Sequence, residues 1–192
     1  MEFLALPLPA QQAGGRGAIF DEHAEDEPVE QPVAVGSGQG LAVWHLDTLM
    51  TIKASGTDTA GAFGLMEVVR PPASAPPLHI HRREEESIWV LEGAMTVMRG
   101  NEILEGAPGS FVYLPRDVPH SFVVEGDVAA RYLLLITPGG GEQYFVESGR
   151  PAEGTQHPPA DPQGLERVKM VAPKFGIEII GPPLQPARPR GG

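Results

Sequence analysis

The chain has no cysteine among its 192 residues. This excludes a disulfide framework, a thiol nucleophile and iron-sulfur ligation, and it suits a reducing compartment. No apolar run approaches the length a membrane helix needs, and Met1-Glu2-Phe3-Leu4 offers no basic leader. The expectation is a cytoplasmic protein. Basic residues are also scarce, 14 against 25 acidic ones, giving a formal net charge of -11. A field of that sign disfavours nucleic acid and anionic membrane surfaces, so neither is expected as a partner. Helix-period patterns are few, while 24 glycines and 21 prolines punctuate the chain. Many short strands joined by turns are therefore favoured over a helical bundle.

Against that background one stretch stands out. His79 and His81 are separated by a single residue, which on an extended strand puts both imidazoles on one face. Such a pair can hold one metal ion, and a nearby carboxylate can complete the site. Of the consecutive Glu84, Glu85 and Glu86, the last opens the apolar run Ser87 to Leu91 and is the one a strand would hold in a fixed direction; the other two are expected in the connecting turn. His120, opening a second apolar segment, is the fourth candidate. Three imidazoles and one carboxylate leave one or two positions on an ion for water, substrate or dioxygen. His23, His45 and His157 have no partner at informative spacing and are read as ordinary histidines.

Taken in order, residues 1–40 form an N-terminal extension or arm, in which Leu4, Leu6 and Leu8 alternate and Asp21 to Glu30 is an acidic loop without the oxygen pattern of a calcium site. Strands are predicted at Leu41–Leu46, Leu49–Ala54, Phe63–Val69, Ser87–Leu91, Ala94–Arg99, Asn101–Glu105, Phe111–Leu114, His120–Val124 and Ala130–Ile136. The prolines from Pro71 to Pro77 suit a rigid approach at a sheet edge or barrel mouth more than a central strand. Pro138-Gly139-Gly140-Gly141 is a turn, not a phosphate loop, since it lacks Gly-Lys-Ser/Thr. Residues 149–192 form an extension, with a helix capped by Asp161 and Pro162 running to about Ala172 and a flexible Pro-, Arg- and Gly-rich tail at the end.

The spacing of the four candidate ligands resembles the cupin superfamily. Its first motif, Gly, five residues, His-x-His, three or four residues, Glu, six residues, Gly, is matched by His79, His81, Glu86 and Gly93, with Ala73 where the leading Gly would stand. In the second, Gly109, Pro115 and His120 match, while Asp117 replaces a turn Gly and Val124 an Asn that is not a ligand. Asp tolerates a tight turn. The segments Tyr132 to Phe145, Gly149 to Ala152 and Lys174 to Pro183 are similar to the ends of small single-domain cupins related to bacterial quercetin 2,3-dioxygenases.

The resemblance implies an all-β, double-stranded β-helix (jelly-roll) barrel over residues 41–148 with a short C-terminal helical extension, and a homodimer that protects an exposed edge and an apolar outer face. It implies one divalent transition metal per chain, iron, nickel, cobalt, manganese, copper or zinc, on His79, His81, Glu86 and His120. The activity implied is a dioxygenase acting on a hydroxylated aromatic or enolic, flavonol-like small molecule, with Glu86 as ligand and general base. A metal-dependent isomerase, cyclase or lyase on a carbonyl substrate, or a binding protein without turnover, uses the same pocket and remains open. By strand parity Ile88, Val90 and Phe122 are pocket candidates, joined by Met50, Phe63 and Met66, for which core filling is the alternative role; Trp89 points the other way.

Overall fold

The computed structural model describes residues 33–152 and 161–186. The alternating leucines of the N-terminal arm, the acidic run, His23 and His157 lie outside the described residues. Among the described residues there are twelve strands: β1 Leu41–His45, β2 Thr48–Ala54, β3 Gly64–Arg70, β4 Pro77–His81, β5 Glu85–Glu92, β6 Ala94–Arg99, β7 Glu102–Gly106, β8 Phe111–Leu114, β9 His120–Glu125, β10 Ala130–Thr137, β11 Arg150–Pro151 and β12 Ile177–Pro183. Helix α1 spans Gln143–Ser148 and α2 spans Gly164–Val171, the latter continued by a 3-10 turn over Ala172–Phe175.

The strands form two antiparallel sheets, a seven-stranded one in the order β11-β1-β2-β3-β10-β5-β8 and a five-stranded one in the order β12-β4-β9-β6-β7. Alternation explains the core between them. On β10 the inward residues Tyr132, Leu134 and Ile136 sit opposite Val68, Met66 and Gly64 on one side and Val90, Ile88 and Glu86 on the other. Their outward neighbours stay partly exposed, so one face of each strand is buried and the other meets solvent. Trp89, between Ile88 and Val90, is accordingly turned outward and 51% exposed.

A closed jelly-roll barrel is not what forms. Neither sheet closes, because a barrel requires the outer strands of a sheet to pair with each other. Here β11 and β8 end one sheet and β12 and β7 end the other. β11 is only two residues long and includes Pro151, whose nitrogen has no proton to donate to a further strand. The proline-rich approach is irregular up to Pro76, as expected, and leads into β4, which has β12 paired on one side and β9 on the other. Pro77 is tolerated because it is the first residue of its strand.

Two local departures have clear causes. Asp161 does not cap α2, whose N-cap is Gln163; its carboxylate instead accepts from Arg167 Nη2 at 2.6 Å, with Arg150 Nε at 3.3 Å. A strand not predicted from sequence, β12, follows the 3-10 turn, and its Ile177 is buried against the core. Gly93, which ends β5, adopts φ +76, and a Cβ there would lie 2.8 Å from the Ala129 carbonyl oxygen. Only glycine fits that close approach without strain.

Candidate metal centre

The four side chains singled out by spacing converge between the sheets. β4 carries His79 and His81 on its inner face, β9 sets His120 directly beside His79, and β5 brings Glu86 from the facing sheet, where it lies between Ile136 and Leu114. One potential ligand atom from each lies within 4.8 Å of the others. His81, Glu86 and His120 are buried and His79 is half-buried. Glu86 Oε1 is 3.5 Å from His81 Nε2 and Glu86 Oε2 is 3.3 Å from His120 Nε2.

The backbone fixes the imidazoles from behind. His79 Nδ1 donates to the Pro77 carbonyl at 2.7 Å, and His120 Nδ1 to the Val118 carbonyl at 2.9 Å. In those tautomers each Nε2 keeps its lone pair for the space between the sheets. His120 Nε2 is buried there with no hydrogen-bond partner. An orphaned lone pair at the centre of three imidazoles and a carboxylate suits a divalent cation, and the mixed donor set suits a first-row transition metal.

Electrostatics distinguish the members of the cluster. Burial, reinforced by His120 and His81, lowers the His79 pKa to about 3, so this ring is held neutral as a ligand must be. For His81 burial alone would lower the value, but Glu86 and then Glu84 outweigh it and raise it. For Glu86 burial alone would raise the carboxyl; His81 and His120 outweigh it and hold it well below the usual carboxylate range.

Glu84 is a neighbour that spacing alone assigned to a turn. It is in that turn, yet its side chain is buried, with Oε2 3.7 Å from His81 Nδ1 and both atoms unsatisfied. A carboxylate behind the far nitrogen of a ligating histidine orients the ring and raises its basicity. Gly141 makes room for it, since a Cβ there would stand 3.1 Å from Glu84 Cγ. Asp117, at a motif glycine position, adopts φ +64, and its amide donates to the His81 carbonyl at 2.9 Å. Ala73, at the other, adopts φ +58.

The cluster opens onto a narrow, partly enclosed pocket between the sheets. Met50 and Phe122 line it; Met66, Ile88 and Val90 are fully buried in the core, and Phe63 belongs to neither the pocket wall nor the core, its carbonyl accepting from the Thr59 hydroxyl. The remaining wall comes from His45, Arg70, Pro76, Pro77, Tyr132, Leu134, Tyr144 and Phe145, together with Val168, Ile177 and Ile179 from the C-terminal segment. The aromatic pair Tyr144-Phe145 follows a glycine-rich turn and begins a helix with two buried rings, a signal that could have marked it as cavity wall.

Residues 66–137 match the family model described as a cupin domain. Over 153 residues the chain is 29% identical to quercetin 2,3-dioxygenase of Bacillus subtilis, covering 79% of this chain and 45% of that protein. Over 126 residues it is 28% identical to quercetin 2,3-dioxygenase of Aspergillus japonicus, covering 62% of this chain and 36% of that one. The chain therefore spans less than half the length of either relative. Among solved structures, an RmlC-like cupin from Shewanella frigidimarina superposes with a TM-score of 0.50 at 13% identity, over 59% of this chain and 98% of the other, which speaks to the fold alone. No helix among the described residues is long and apolar enough to cross a membrane. The segment that matches the cupin domain model carries all four members of the three-histidine, one-carboxylate cluster between two facing antiparallel sheets.

Proposed function

We propose that the protein is a metal-dependent dioxygenase acting on a hydroxylated aromatic or enolic small molecule. The observation that carries this reading is the opening of the His79, His81, Glu86 and His120 cluster directly onto an aromatic-walled cavity. The similarity to two quercetin 2,3-dioxygenases supports it. A divalent metal held by those four residues supplies Lewis acidity, lowering the pKa of a substrate hydroxyl placed beside it. The protein's own groups do the rest. Phe122 and Tyr144 belong to the wall that a substrate ring would meet, the neighbouring apolar side chains limit water, and Glu86, which also lines the pocket, would receive the hydroxyl proton. Glu84, buried 3.7 Å behind His81 Nδ1, supplies a carboxylate that would steady this ring while Glu86 changes protonation.

Association as a homodimer and a cytoplasmic location belong to the same proposal. Trp89 and Phe111, adjacent on the outer face with ring centroids 6.4 Å apart, are 51% and 59% exposed. Sedimentation showing a stable monomer would remove the dimer from it. The reaction itself is tested by supplying the metal-loaded protein with a panel of flavonols and smaller catechols under air and under nitrogen. Dioxygen uptake matching substrate loss is expected; equal conversion without dioxygen would overturn the oxygenase reading in favour of isomerisation or elimination.

A further inference from the structure

A second polar group of the cavity has no part in the metal cluster. Arg70 ends β3 with its side chain turned inward and 5% exposed. Its Nε donates to the Tyr132 hydroxyl at 3.2 Å and its Nη1 to Ser74 Oγ at 3.1 Å, with the Phe122 ring centroid 5.2 Å from the guanidinium carbon. Among the described residues no carboxylate forms an ion pair with it, and Nη2 donates to nothing. The closest compensation runs through Ser74, whose hydroxyl donates to the exposed Asp47 at 2.8 Å. A buried cation without a counter-charge is costly, and it is retained where a ligand supplies the missing anion.

His45 stands near it on the same sheet. β1 pairs His45 with Thr48, and β2 runs from Thr48 beside the end of β3 that carries Arg70. Ser148 Oγ donates its single proton to the Tyr144 carbonyl at 2.6 Å, so the 3.0 Å contact with His45 Nδ1 has the ring as donor. His45 Nε2 is then left as an acceptor, with no partner among the described residues. The same cavity thus holds free guanidinium donors and a free imidazole acceptor beyond its metal cluster. Tyr132, which binds Arg70, is four residues along β10 from Ile136, the neighbour of Glu86, or about 13 Å of strand.

We propose that this region is a carboxylate subsite. Arg70 binds a carboxylate of the substrate, and His45 Nε2 accepts a hydrogen bond from a hydroxyl near it, so the substrate is a hydroxylated aromatic or enolic acid and not a neutral flavonol. The assignment rests on the cavity being the substrate site of the proposed reaction. It is tested by calorimetric titration of 3,4-dihydroxycinnamate and its methyl ester into the full chain, both cobalt-loaded and metal-stripped, with metal content read on the same samples. The acid should bind at least about tenfold tighter than the ester in both forms, the scale of one charge-assisted hydrogen bond. R70M should abolish that preference without changing metal content, and R70K should restore part of it. Equal affinity for acid and ester, no binding of the acid, or a preference that survives in R70M would each overturn the subsite. Should R70M not fold, the wild-type ratio decides alone. A chain that takes up no metal but still prefers the acid would refute the metal-dependent reaction and leave the subsite standing.

Discussion

The metal cluster and the arginine end of the same cavity treat buried charge in opposite ways. In the cluster, Glu86 is buried but lies within 3.5 Å of two imidazole nitrogens, and a further carboxylate, Glu84, lies behind one of them. The charges there are dense, mutually compensating, and aimed at a common point. At the other end Arg70 is equally well buried, held by neutral hydroxyls and an aromatic ring, with no carboxylate against it. Desolvation is offset inside the first group by its own members, whereas the second depends on something that enters. One cavity therefore combines a centre built to hold a cation with a wall built to meet an anion.

That contrast can be broken most sharply on the metal side. His120→Ala should weaken metal retention by more than about 100-fold, because loss of a ligand exceeds the 10- to 100-fold cost of losing a supporting residue. Competition with a chelator, followed by metal analysis, reads it, and near-normal retention would mean His120 is not a ligand. Glu84→Gln should cost about tenfold by the same assay, with the metal still bound at saturation. Glu86→Gln separates two roles of one residue: metal binding should survive better than turnover if the carboxylate also receives the proton. Parallel loss of both would leave it as a ligand only.

The arginine side responds to pH. Burial, with Arg70 and Arg167 nearby, lowers the His45 pKa from 6.5 to about 3. The unfolded chain takes up a proton near pH 6.5 that the folded His45 refuses until about 3, so its contribution is intact above 6.5 and drains away as pH falls through that window. Wild-type stability should drop by up to about 1.4 kcal/mol per pH unit from this group, and His45→Gln should flatten that part of the profile. Denaturation midpoints at pH 7 and pH 5 give the comparison; parallel profiles would show that His45 is not held neutral. The smallest effect is expected at Ala73, whose φ of +58 strains an L-residue. Ala73→Gly should stabilise the fold by about 0.5 to 1 kcal/mol in a urea titration, and a loss of stability would contradict the strain.

The same two regions explain how much was legible beforehand. The convergence of the four side chains could be anticipated because His79 and His81 share one face of a short strand, Glu86 is the second residue of the next, and His120 starts another. Arg70, His45 and Ser148 carry no such spacing. They meet because β1, β2 and β3 are laid side by side and α1 returns Ser148 to β1, which is tertiary information. His45 consequently read as an ordinary histidine. Alternation found most strands, yet it says nothing of whether a sheet closes, and the open edges at β8 and β7 came only with the pairing. β12 was hidden by Gly181, Pro182 and Pro183, residues that a sheet accepts at its margin, where the register with β4 shifts.

The most direct test of the central claim is metal analysis of protein purified without added metal, followed by X-ray absorption at the edge of the element found. A single ion per chain, bound by three imidazole nitrogens and a carboxylate oxygen at about 2.0 to 2.2 Å, is the predicted result, with the imidazole signal diminished in His120→Ala. A folded, metal-replete chain whose ion shows only oxygen ligands, or whose spectrum is unchanged by that substitution, would contradict it.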